Sequence, residues 1–196
     1  MRFRYAFTIA AILAGLGIHG ADAKMYIDAN GKWTQKAPKN YTVNTRPIER
    51  QEVRYSGPEK PGTIIVDTAE RRLYYILDDG KALKYGVGVG REGFEWQGTH
   101  RITRKAEWPT WTPPAEMRAR ESARGRDLPI SMPGGEDNPL GARALYIGNT
   151  LYRIHGTNNP RTIGLAMSSG CIRMMNDDVI DLASRVSVGA KVIVQH

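Results

Sequence analysis

One cysteine and one histidine in the segment YRIHGTNNPRTIGLAMSSGCIRMM (152–175) are the residues best placed to do chemistry. Cys171 is the chain's single cysteine, and it stands sixteen positions after His155. A thiol becomes a nucleophile when a base takes its proton or a cation stabilises the thiolate. Histidine suits that task because its reference pKa, about 6.5, lies near working pH. A lone cysteine also has a bland reading as a buried small hydrophobe, so its neighbours have to decide. Gly170 precedes it and lets the backbone turn sharply. The amides of Ser169, Gly170 and Cys171 then either converge as an oxyanion hole or form an ordinary tight turn. Of the other histidines, His19 lies in the N-terminal apolar segment and His196 is the last residue. His100 is flanked by Thr99 and Arg101 and reads as a local packing or surface residue. His155 is therefore the preferred base.

These side chains need strands to position them. Segments 63–67, 72–77 and 81–89 are rich in β-branched and aromatic residues, with Asp79-Gly80 as a hairpin turn between the last two. Further strands are expected at 98–103, 144–147, 151–155 and 191–194, with Gly148-Asn149 as a second turn. Strands in such a run, without helices between them, imply an antiparallel or mixed β fold. One helix follows the cysteine. Asn176-Asp177-Asp178 supplies a cap and an acidic first turn, Val179 to Val186 carry a helical apolar stripe, and Gly189 ends it. Between these elements, 104–141 holds six prolines, Trp108 and Trp111 and little periodicity. Long unpatterned segments inside a domain are commonly lids or binding loops, and the tryptophans favour an ordered cap.

The chain opens with MRFRYAFTIAAILAGLGIHGADA. A basic start, a short apolar run and a small-x-small ending have the layout of an export signal over 1–23. Residues 24–61 are polar and proline-rich, an extended leader, and 62–196 form one domain. The formal charge of +8 favours anionic surroundings. Export together with the absence of basic runs interleaved with aromatics argues against nucleic acid. A single cysteine excludes an internal disulfide. One cysteine with one credible histidine is too few for a zinc site, so neither metal nor cofactor is expected. Gly88-Val-Gly90-Arg-Glu-Gly93 matches a dinucleotide fingerprint in form, but FEWQGTH after it does not open an amphipathic helix. No Ser-x-x-Lys or Lys-Thr-Gly is present, which removes the serine transpeptidase signature.

HGTN followed by SSGCIRM and a helix opening at NDDVIDL resembles the YkuD-type L,D-transpeptidase catalytic domain, over about 63–194. The resemblance implies a mainly β fold, a mixed sandwich or barrel with one C-terminal-region helix and a long capping loop. It also implies a periplasmic enzyme in which Cys171 attacks the carbonyl between the third and fourth residues of a peptidoglycan stem peptide and forms a thioester. His155 would take the thiol proton, oriented by a backbone carbonyl near Gly156. Arg173 matches a position used for substrate or loop anchoring, and Gly170 and Ser169 would flank the oxyanion. Ser169 departs from the histidine common at that position. The acceptor would be an amine of another stem, making a 3-3 cross-link, or of an outer-membrane protein. Water as acceptor would make a carboxypeptidase, and loss of the reaction would leave a wall-binding module.

Overall fold

The computed structural model describes residues 48–196 and two short strands before them, so the expected export signal and most of the leader lie outside the described residues. Those two strands, β1 (Tyr26–Ile27) and β2 (Trp33–Thr34), pair antiparallel in a unit of their own. The second unit holds β3 (Gln51–Arg54), β4 (Ile64–Asp67), β5 (Arg72–Ile76), β6 (Lys81–Gly86), β7 (Val89–Gly90) and β8 (Gly98–Glu107). Then come α1 (Ala115–Ser122), β9 (Arg143–Ile147), β10 (Arg153–His155), one 3-10 turn (Pro160–Thr162), β11 (Ala166–Ser168), β12 (Ile172–Arg173), α2 (Asn176–Arg185) and β13 (Lys191–Gln195).

Nine strands form a mixed sheet in the order β12-β10-β9-β8-β13-β4-β5-β6-β3. β10–β12 and β4–β13 run parallel, and the other pairs are antiparallel. Alternation sets the faces: Ile64, Val66, Val192 and Val194 enter the main core, while Ile65 turns to a smaller cluster with Ile76 and Ala82, against which Ile193 packs. The longest strand, β8, joins two halves of the sheet. Its first part pairs with β13 and its second with β9, and a register shift between Ile102 and Arg104 marks the change of partner. A bulge bends its strand, so one continuous segment carries the sheet around a corner. The main core (Leu73, Ile102, Leu145, Ile154, Leu182) fills the space inside that bend.

The turn at Asp79-Gly80 has both residues at positive φ, 60° and 67°, as a tight hairpin needs. Three expectations needed correction. The third expected strand, 81–89, is broken: β6 stops at Gly86, and Val89–Gly90 pairs instead with β11. The fourth runs four residues further than its pattern suggested, because β9 is long enough to accept it. A second helix, α1, stands inside the cap. Its sequence, AEMRARES, has good helix formers but no apolar stripe, and none of its residues is buried. Within the expected leader, β3 hydrogen-bonds along β6 with mostly exposed side chains.

Candidate active site

The parallel pairing of β10 with β12 aligns Ile154 with Ile172 and His155 with Arg173. Both isoleucines are buried in the core. Residues directly opposite in a ladder share a face, and neighbours along a strand alternate. Arg153, His155, Cys171 and Arg173 therefore form a block of four on the other face. Cys171, the residue immediately before β12, continues that alternation and sits diagonally from His155. Strand geometry sets their Cα atoms roughly 8 Å apart. The thiol and imidazole share no hydrogen bond in this conformation. Sγ instead faces the Leu151 carbonyl at 3.8 Å.

His155 is buried, and its Nδ1 lies 2.6 Å from the Gly156 carbonyl. A neutral imidazole donating Nδ1–H to that carbonyl keeps Nε2 as the basic atom. Burial, reinforced by Arg173, pushes its pKa down to about 3 against the opposing pull of the Gly156 and Leu140 carbonyls. The ring is thus neutral at physiological pH, as a proton acceptor must be. Cys171 is partly exposed yet densely surrounded. Burial pushes its thiol pKa up, while the amide of Arg153 and the charges of Arg153 and Arg173 pull it down. The resting pair is therefore neutral thiol beside neutral imidazole, with two guanidiniums ready to stabilise a thiolate.

Gly170 has φ 104°, and a Cβ there would strike the ring of Tyr152. Tyr152 is stacked on Trp96, with centroids 4.5 Å apart and planes 8° from parallel, and the Trp96 indole N–H donates to the Gly170 carbonyl at 2.7 Å. The peptide leading into the nucleophile is held by this aromatic pair. Ser168 also braces the turn, since its hydroxyl donates to the Cys171 carbonyl at 2.6 Å and accepts from the Gly170 amide at 3.1 Å. The Gly170 amide expected to face an oxyanion is therefore already occupied, which leaves the amides of Ser169 and Cys171 as the candidates. Ser169 accepts from Arg91 at 3.2 Å and from Arg120 at 3.4 Å. Arg173 anchors a loop through its backbone, which pairs with Gly88 in both directions. His100 packs edge-on against Trp96.

Asn176 does not cap α2. Met175 occupies the cap position without a side-chain bond. The Asn176 Oδ1 instead accepts from the amides of Thr157 (3.1 Å) and Ala142 (3.0 Å), so close to Gly156 and Gly141 that a Cβ on either would collide with it. Across the cap, Trp111 and Met132 exchange both backbone hydrogen bonds at 2.8 Å. Buried Asn138 reaches the carbonyls of Pro109, Met132 and Pro133 and accepts from Leu140. The cap is an ordered structure, as its tryptophans suggested. Among the described residues no cluster of His, Cys, Asp and Glu is suited to a metal, and no helix is long and apolar enough to cross a membrane.

The YkuD L,D-transpeptidase catalytic domain model matches residues 61–194. The chain belongs to this family. The same region is 46% identical over 134 residues to the probable L,D-transpeptidase ErfK/SrfK of Escherichia coli K12, covering 66% of this chain and 42% of that protein. It is 43% identical, at 66% and 43% coverage, to the probable L,D-transpeptidase YbiS of the same organism. The matched region thus spans less than half the length of these relatives. Among solved structures, an L,D-transpeptidase of Enterococcus faecium aligns with a TM-score of 0.54 at 20% identity, over 69% of this chain and 50% of that one, and shares the fold. A Brucella melitensis protein described as a probable carnitine operon oxidoreductase is 43% identical, with a TM-score of 0.52 over 79% of this chain and 99% of that one. Here the Gly88–Gly93 motif has no dinucleotide setting. Val89–Gly90 pairs with β11, and the chain then turns back at Phe94 without opening a helix.

Proposed function

We propose that this YkuD-family domain is an L,D-transpeptidase acting on peptidoglycan stem peptides in the periplasm, with Cys171 as nucleophile and His155 as base. The observation that supports this most directly is the block of four on β10 and β12. It sets a neutral, carbonyl-oriented imidazole diagonally across from a partly exposed thiol, with Arg153 and Arg173 beside them.

In the reaction, Cys171 rotates toward His155 and gives up its proton as Sγ attacks the carbonyl between the third and fourth stem residues. The amide of Ser169 or of Cys171 receives the developing oxyanion. The tetrahedral intermediate collapses, the C–N bond breaks, and the histidine's proton leaves with the departing amine. A thioester remains. An incoming amine, deprotonated by His155, then displaces the thiol, which takes the proton back. An acceptor amine from another stem gives a cross-link, an outer-membrane protein amine gives an anchored protein, and water gives a trimmed stem. The cap over 108–141 would favour amines by excluding water.

Mass spectrometry of muropeptides incubated with the protein tests the reading. Cross-linked dimer is the expected product, and trimmed monomer would assign the domain to hydrolysis. The same products from Cys171→Ala as from the wild type would remove the cysteine from the mechanism. Unaltered substrate with both proteins would favour the wall-binding reading.

A further inference from the structure

Arg91 and Arg120 come from distant parts of the chain, just after β7 and from α1, and both point at the Ser169 hydroxyl, two residues before the nucleophile. The Phe94 ring lies under both guanidiniums, with their carbons 4.1 Å and 5.4 Å from its centroid. This packing fixes their planes, and the Arg91 Nη1 also donates to the Ser168 carbonyl at 3.3 Å. Two like charges are thus held against one hydroxyl, an arrangement that is unfavourable without a counter-ion. The structure supplies little compensation. Arg91, Arg153 and Arg173 have no carboxylate partner among the described residues. Glu121 is already shared by Arg124 and Arg126, and it stands 3.8 Å from the Arg120 Nε. That Nε and the Nε of Arg153 are buried without a hydrogen-bond partner. Burial first, and then the charges of Arg120 and Arg124, pull the Arg91 pKa down. With its two lone pairs turned to the arginines, Ser169 also keeps its own proton to donate.

We propose that Arg91 and Arg120, converging on Ser169, form a subsite for a carboxylate of the acyl donor. This deepens the transpeptidase reading and rests on it for the identity of the ligand. The donor is favoured over the acceptor by reach. Ser169 lies two residues from Cys171, a span of at most about 7 Å of chain, so a carboxylate on a residue flanking the attacked carbonyl falls beside it. A planar carboxylate matches guanidinium edges in a way an ammonium or a neutral amide does not.

Two measurements separate this proposal from the function beneath it. The first needs no peptide: alkylation of Cys171 by iodoacetate and by iodoacetamide, which differ in charge. The rate ratio of anionic to neutral reagent should fall by at least about threefold in Arg91→Gln/Arg120→Gln at low ionic strength, and the difference should close in high salt. Arg91→Lys/Arg120→Lys, with the charge kept, should retain most of the ratio, which guards against a folding defect. Equal ratios in wild type and the glutamine double variant would overturn the subsite.

The second uses a tetrapeptide donor bearing carboxylate or carboxamide beside the scissile bond, with no amine acceptor, and follows release of the leaving residue. The carboxamide should raise KM about tenfold in the wild type, the scale of one lost charge-assisted contact, and change little in the double variant. Equal KM for both donors would overturn the donor assignment. If the alkylation ratio behaves as stated while neither peptide is cleaved, the anion subsite stands and the transpeptidase reading falls.

Discussion

The Oδ1 of Asn176 accepts the amide of Thr157 at 3.1 Å, and that amide belongs to the same peptide unit whose carbonyl holds the Nδ1 of His155. In a trans peptide C=O and N–H point in opposite directions. The first residue of α2 thus grips one end of the peptide bond, and the candidate base hangs from the other. A helix start and an imidazole twenty-one positions apart in sequence are joined through one rigid plane.

Removing that grip should loosen the base rather than the substrate. Asn176→Ala is expected to lower kcat by about ten- to a hundredfold with KM little changed, the scale of a small misplacement of a catalytic group. Asn176→Asp keeps the accepting oxygen and should recover most of the rate. Its carboxylate should also shift the acid limb of the pH profile upward by favouring the imidazolium. Steady-state kinetics of the three proteins decide it. A comparable rise in KM would place Asn176 in substrate binding instead.

Gly170 is constrained twice, by a φ of 104° and by Tyr152. Gly170→Ala should cost on the order of 2–4 kcal/mol, combining left-handed strain with the overlap. Tyr152→Ala in the same chain removes the overlap but not the strain, so the double variant should be less destabilised than the two single costs together. Urea unfolding of the four proteins gives the coupling. Strict additivity would mean that the tyrosine does not crowd the glycine.

The two titrating groups at the site predict a stability maximum in the neutral range. His155 in the folded chain is pushed down to about 3, whereas the unfolded imidazole titrates near 6.5. Between those values the unfolded chain binds a proton that the folded one refuses. Stability is then full above about pH 6.5 and falls as pH drops, by on the order of 3 kcal/mol at pH 4. For Cys171 the folded pKa is raised, so the unfolded thiol ionises first and stability declines as pH rises past about 8.5. Denaturation midpoints across pH should show both arms. His155→Gln should flatten the acid arm and Cys171→Ser the alkaline one. A midpoint independent of pH between 4 and 6 would contradict the buried neutral ring. The resting thiol should also alkylate slowly at pH 7 and faster with rising pH, where a preformed thiolate–imidazolium pair would give a plateau.

The cap depends on Asn138, whose amide ties Pro109, Met132 and Pro133 together from a buried position. Asn138→Ala removes a donor from all three carbonyls, of which only Met132's keeps another in the Trp111 amide, and should cost about 1–3 kcal/mol. It should also raise hydrolysis of the acyl-enzyme relative to transfer by admitting water. The ratio of trimmed to cross-linked product, read by mass spectrometry, tests this. An unchanged ratio in a protein with a loosened cap would separate the cap from water exclusion.

Much of this was readable before any coordinates. The strands at 63–67, 72–77 and 191–194 follow from segments rich in β-branched and aromatic residues, and Asp79-Gly80 between two of them reads as a hairpin turn. α1 was not readable, since AEMRARES has helix propensity but no apolar stripe to say where it packs. Asn176 was misread for a related reason. Asparagine before an acidic turn is a good cap locally, and only the arrival of Gly141 and Gly156 at its side chain gave its oxygen better partners. Nothing in SSGC chooses between an oxyanion hole and a tight turn at Gly170, because that depends on Ser168 folding back on its amide.

By itself the sequence determined the chemistry available: one thiol, one well-placed imidazole, a glycine before the nucleophile, and strands short enough to bring them together. Local pattern carries that information because side-chain type and alternation are properties of neighbouring residues. Tertiary structure decided the rest. The parallel register of β10 on β12 chose which face His155 and Cys171 share, and chain segments eighty residues away brought Arg91 and Trp96 to the nucleophile's turn. Those contacts depend on how the bent sheet closes on its core, and no local window of residues encodes that closure.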